Sequence, residues 1–285
     1  MKWQGRRGSD NIEDRRRAGG GGRMVGGGGL GLVAVALIVW ALGGDPIAVL
    51  QQGMSGSGQI QGGSGEITEA DRRAAEFVSV TLADTEEVWS DIFRRDLGAE
   101  YRPVTLVLFK GGTQSACGGA SAQTGPFYCP NDQKVYLDTD FFATLSQRLG
   151  ARGDFAAAYV VAHEVGHYVQ DQLGILKKTT AVRQQSSQAR ANEISVMVEL
   201  QADCFSGVWA RHAAEKFGSL ERGDIEEAIN AAEKIGDDTL QRNAGQRPMP
   251  DSFTHGTSEQ RQRWLADGYQ AGTIEACDTF SADQL

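Results

Sequence analysis

One apolar segment constrains this chain more than any other: "FAAAYVVAHEVGHYV", Phe155 to Val169. Apart from Tyr159 and Tyr168, its only ionisable groups are His163, Glu164 and His167. A helix that is apolar nearly all round must be buried, so a domain has to form around it. Burying a carboxylate between two imidazoles costs several kcal/mol unless something compensates. Two arrangements compensate: core histidines satisfied by hydrogen bonds, or a divalent cation. His163 and His167 are four apart, so a helix sets both imidazoles on one face, one turn apart, within reach of a single ion. Glu164 is offset by about 100°. It leans over such an ion rather than joining the same row.

A hydrolytic zinc site needs three protein ligands and an open position for water. No third histidine follows at the close H-x-x-G-x-x-H spacing, so the third ligand comes from elsewhere. In "ISVMVELQADCFSGVWA", Glu199 and Asp203 stand four apart inside another apolar helix. Like charges at that spacing repel. The pair makes sense if Glu199 binds the ion and Asp203 accepts a hydrogen bond from the far nitrogen of a ligand histidine. The competing reading is a pair that faces solvent. The pattern therefore makes His163, His167 and Glu199 the candidate ligands of one divalent cation, with Glu164 leaning over it.

Around these segments the pattern is α+β and mostly helical, with a small β-sheet. Thr68 is placed to cap a helix running to about Phe93. "PVTLVLFKG" and "QKVYLDTDFF" read as strands, the second passing into a helix. Asp154 is placed to cap the histidine helix. "LGILKKTTAVRQQSSQ" reads as a polar connection. A long helix is expected over Gln188–Phe217, and shorter ones near Asp224–Glu233 and Ser258–Asp267. The region 67–285 is long enough for one domain with its own core.

Upstream, Leu30 to Leu42 carries no charge, and with its glycine flanks the apolar stretch spans residues 25–44. That is close to the roughly 20 residues of a membrane-crossing helix. A long preceding segment and no clear small-x-small cleavage site argue against a signal peptide. Residues 1–24 then read as a basic cytoplasmic tail, 25–44 as a transmembrane anchor and 45–66 as a Gly/Ser-rich linker. Residues 67–285 form the working domain on the extracytoplasmic side, at a bacterial inner membrane or cell surface, because positive charge resists translocation. Residues 1–44 hold seven basic and three acidic residues; with a total of −9, the remainder carries −13. Such acidity excludes nucleic acid as a partner. Cys117, Cys129, Cys204 and Cys277 all follow the apolar stretch, and none forms a C-x-x-C pair. Cys117 and Cys129 bracket a Gly/Ser-rich loop and are the first choice for a disulfide. Cys204 with Cys277 follows by elimination only, and free buried thiols remain the alternative.

"HEVGH", with "ELQAD" following downstream at Glu199–Asp203, is similar to the gluzincins, zinc peptidases with an H-E-x-x-H helix and a glutamate on the next helix. More closely, "MKWQGRRGSDNIEDRR", "YCPNDQKVYLD", "VAHEVGHYVQ", "ELQADCFSGVWA" and "DSFTHGTSEQRQRW" resemble the bacterial putative neutral zinc metallopeptidase family. The resemblance implies a gluzincin-like domain that hydrolyses peptide bonds through one Zn(2+) per chain, with His163, His167 and Glu199 as its ligands and Glu164 as the catalytic base. It supplies no substrate beyond a peptide or protein.

"SFTHGTSEQRQRW" also places His255 before a helix start, where Thr257 and Gln260 fit a capping box. That position suits a developing oxyanion. Its likeness to membrane-associated gluzincins implies that His255 and Arg261 lie by the substrate, although Gly256 stands where those proteins usually have proline. By analogy to related peptidases, "KVYLD" is expected to offer Val135 and Tyr136 to an extended substrate; a plain core strand fits equally well. His212 reads as structural or exposed. A membrane-tethered protein that keeps its zinc for structure and binds partners is the main alternative to an enzyme. A zinc hydrolase acting on another bond is a third reading.

Overall fold

A computed structural model describes residues 1–17, 66–121 and 124–285. The expected anchor, 25–44, and all but the last residue of the expected linker lie outside the described residues. Strands are β1 (Ile12–Asp14), β2 (Thr105–Phe109), β3 (Gly112–Ser115), β4 (Gly118–Ser121), β5 (Phe127–Cys129) and β6 (Lys134–Asp138). Helices are α1 (Glu69–Ile92), α2 (Phe141–Gln147), α3 (Asp154–Gln172), α4 (Ile175–Arg183), α5 (Gln188–Phe217), α6 (Asp224–Lys234), α7 (Asp237–Asn243) and α8 (Ser258–Ala271).

Thr68 caps α1 as expected, in a box closed by Asp71. Its apolar stripe, including Phe77, Val80, Val88 and Trp89, is buried. The four-stranded sheet has the order β1-β2-β6-β5, and β3 and β4 form a separate hairpin. β6 lies parallel to β2 and antiparallel to β5, so it is an interior strand. The expected substrate contacts at Val135 and Tyr136 are therefore corrected. Both side chains are buried, and the Tyr136 ring stacks on Phe127 at 5.0 Å. The alternation that marks a strand does not reveal whether that strand is an edge.

α3 crosses the centre of the molecule, with Val161, Val165 and Val169 fully buried. Its first turn differs from expectation. Gly153, at φ 101°, is the N-cap, and Asp154 is the first helical residue, with its carboxylate 2.6 Å from the Met1 nitrogen. The segment expected as a polar connection contains α4, none of whose residues is fully buried. With so little apolar face to bury, α4 has no strong periodic signal.

Both disulfides form, Cys117–Cys129 and Cys204–Cys277, the second tying α5 to the C-terminal segment. Two glycines let α5 and α8 touch. A Cβ on Gly207 would lie 2.1 Å from the Leu265 carbonyl oxygen, and one on Gly268 would lie 2.0 Å from that of Cys204.

Residues 1–17 are not a separate tail. β1 pairs in parallel with β2, through Ile12 opposite Leu106 and Asp14 opposite Leu108. Trp3 is buried edge-on against Phe77, with ring centroids 5.5 Å apart. Arg6 grips Asp84 of α1 through both oxygens, at 2.6 and 2.7 Å. The expected division at residue 24 is corrected: residues 1–17 and 66–285 build one domain. In the sequence these arginines show only their charge; the carboxylates of α1 that meet Arg6 and Arg7 lie far along the chain, beyond the apolar stretch. Among the described residues no helix is long and apolar enough to cross a membrane.

Candidate metal centre

α3 and α5 approach at Gly166, the fourth residue of "HEVGH". A Cβ there would sit 3.1 Å from the Ala202 carbonyl oxygen and 3.3 Å from its Cα. This close approach brings Glu199 to the histidines. His163 Nε2 lies 3.2 Å from Glu199 Oε2, and His167 Nε2 lies 3.5 Å from Glu199 Oε1. Donor atoms of the three residues all lie within 4.8 Å of one another. Neighbouring donors around a tetrahedral zinc with bonds of about 2.0–2.1 Å are about 3.3 Å apart, so this set fits the ion.

The far nitrogen of each histidine is held. His163 Nδ1 lies 2.8 Å from Asp203 Oδ1, the arrangement expected from the sequence. His167 Nδ1 lies 2.9 Å from Gln170 Oε1. The Gln170 amide nitrogen is spent on the Val198 carbonyl at 2.8 Å and on Gln201 Oε1 at 3.0 Å, so its oxygen must accept from His167. With Nδ1 the donor in both imidazoles, Nε2 is the nitrogen that faces Glu199 and that a metal would take on loss of its proton. Gln170, three residues past His167 on the same helix face, was legible in the sequence as a hydrogen-bonding neighbour and was missed.

Asp203 is fully buried and serves more than the histidine. Tyr159, one turn before His163, donates its hydroxyl to Oδ1 at 2.6 Å. Arg261 donates Nε to Oδ2 at 2.8 Å and Nη2 to Oδ1 at 2.9 Å. The expected placing of Arg261 at the substrate is corrected: it is buried behind Asp203, brought there by the α5–α8 contact. Burial raises the Asp203 pKa, but Arg261 and His163 outweigh it and hold the carboxyl down at about 2. Burial lowers that of His163, yet Asp203 and Glu199 lift it to about 10. Burial likewise opposes ionisation of Glu199, and the charges of His167 and His255 outweigh it, holding the carboxyl well below its usual range. The pocket is thus built to hold positive charge between its carboxylates.

His255 stands at the rim, its side chain 37% exposed. Thr257 and Gln260 close the expected capping box of α8. Asp237 Oδ2 accepts the backbone N–H of Thr254, His255 and Gly256, and Oδ1 lies 3.2 Å from His255 Nδ1. Burial lowers the His255 pKa, but Glu199 and Asp237 outweigh it and raise it. Gly256 sits at φ 93°, which the ring of a proline forbids. Asp237 was missed because it opens α7 and nothing local links it to a histidine beyond the end of that helix. His212 is structural, its Nε2 2.9 Å from the Gly272 carbonyl. Glu164 is buried on α3, next to His163.

A family model described as "Putative neutral zinc metallopeptidase" matches residues 1–280. "Uncharacterized protein YpfJ" of Escherichia coli (strain K12) is 46% identical over 288 residues, covering 98% of this chain and 99% of that protein. "Uncharacterized protein Mb2605" of Mycobacterium bovis is 46% identical over 188 residues, covering 62% of each chain. No solved structure matches. On the strength of a match running from the first residue to within five of the last, the chain belongs to the putative neutral zinc metallopeptidase family.

Proposed function

We propose that the chain is a zinc-dependent peptidase with a gluzincin-like site, hydrolysing peptide bonds in a peptide or protein substrate. The observation that carries this reading is the convergence of His163, His167 and Glu199 donor atoms within 4.8 Å, with Glu164 adjoining them on α3. Zinc in that position would lower the pKa of a coordinated water to about 7 and polarise a carbonyl. Glu164 takes the proton of the attacking water and returns it to the leaving amine. His255, fixed by Asp237 and favoured in its protonated form, supplies an N–H to the oxygen on which charge develops. Asp203 and Gln170 keep both ligand imidazoles in the Nε2-presenting tautomer. The apolar stretch 25–44 is the segment proposed to attach the protein to a membrane. The two disulfides support a domain facing an oxidising compartment.

The test uses the full chain, since residues 1–17 belong to the folded domain. Bound metal is quantified, and a mixed peptide library is incubated with wild type and with Glu164→Gln. One zinc per chain with cleavage lost in the variant is expected. Stoichiometric zinc without any Glu164-dependent cleavage would support the non-catalytic reading instead.

A further inference from the structure

The sequence reads the N-terminal arginines as topology signals, but the fold uses them otherwise. Arg6 pairs with Asp84, Arg7 with Glu87, Arg15 with Glu13 and Arg16 with Asp14. Two buried carboxylates of α1 depend on this segment. Asp84 is 3% exposed and hydrogen-bonded to Arg6; Glu86 is 8% exposed and takes the Ser9 hydroxyl and the Asn11 side-chain amide. The backbone joins as well. Lys2 N–H donates to the Ser219 carbonyl at 2.7 Å, Ser9 N–H to that of Ser79 at 3.0 Å, and Leu106 N–H to that of Asn11 at 2.9 Å. Without residues 1–17, β2 becomes an edge strand, Trp3 leaves its place against Phe77, and both carboxylates lose these partners.

Between residues 1–17 and residue 66 lie residues 18–65, whose one apolar stretch, 25–44, is long enough for a single crossing and no more. One membrane crossing needs about 20 apolar residues and a return crossing as many again. A single crossing would put the two parts of one folded domain on opposite sides of the bilayer. We propose that Met1–Arg17 is an integral part of the domain and lies on the same side of the membrane as residues 66–285, so that the chain does not cross between them as a single span. This inference rests on the packing of residues 1–17 and holds whether or not the site cleaves peptides.

The full-length chain tests it in cells. All four native cysteines are in disulfides, so an introduced cysteine is the one free thiol. Asp10→Cys and Gln270→Cys, both at exposed positions, are exposed separately to a membrane-impermeant maleimide before and after lysis. The expected result is the same behaviour at both positions, labelled in intact cells or protected until lysis. Labelling of one with protection of the other overturns the proposal. A double variant, Gly8→Cys with Ser79→Cys, reports docking directly, since a Cβ on Gly8 would lie 3.3 Å from that of Ser79. Oxidation of isolated membranes with copper phenanthroline is expected to link the two, read as a cross-linked peptide by mass spectrometry. Absence of that peptide also overturns the proposal.

Discussion

Arg261 Nε lies 2.8 Å from Asp203 Oδ2, both side chains are buried, and the other oxygen of the same carboxylate meets His163. The arginine of α8 therefore reaches the proposed metal centre through Asp203. Removing one partner of such a buried pair costs about 3–5 kcal/mol. Arg261→Met is expected to lose stability of that order in chemical denaturation. Asp203→Asn should in addition weaken zinc by about 10–100-fold in a chelator competition, because His163 loses the carboxylate that orients it. The double variant should cost less than the sum of the two.

The pH dependence of the metal-free protein follows from the same pair. The pKa of Asp203 is held at about 2, below its unfolded value of about 3.9. Its contribution to stability is present above about pH 4 and is lost as pH falls towards 2. The pKa of His163 is raised to about 10. Its contribution is full below about pH 6.5 and is lost as pH rises towards 10. Metal-free protein is thus expected to weaken at both ends of a pH series of melting curves. Zinc affinity should rise with pH, since binding displaces the His163 proton. A zinc affinity flat from pH 6 to 9 would contradict this.

Gly166→Ala tests the approach of α3 to α5. The added methyl meets the backbone of Ala202 at 3.1 and 3.3 Å, and neither atom can swing aside. A loss of about 1–3 kcal/mol is expected from such overpacking. Zinc affinity should fall with it, because Glu199 moves with α5. A variant of unchanged stability and affinity would show that this approach does not set the position of Glu199.

His255 and Asp237 should behave as one unit in turnover. His255→Ala is expected to lower kcat by about 10²–10³-fold, the cost of one oxyanion donor. Asp237→Ala should lower it by less, through a misplaced imidazole, and should add little in the His255→Ala background. Bound zinc, measured by metal analysis, should stay at one per chain in all three.

What the sequence determined by itself was which polar groups two helices carry inward. An apolar surround forced α3 and α5 inside and marked His163, Glu164, His167, Glu199 and Asp203 as one candidate site, of which His163, His167 and Glu199 bring donor atoms within 4.8 Å of one another. Helix periods and capping residues are local, so α1, α5 and α8 were legible to within a residue or a few. Tertiary structure decided everything that depended on partners distant along the chain. It set Arg261 behind Asp203 through the glycine contacts of α5 and α8, and it gave Asp237 to His255. It also made β6 an interior strand and drew residues 1–17 into the domain. In each case the deciding interaction is a hydrogen bond, ion pair or close backbone approach between elements, and neither period nor composition encodes which distant group will be there.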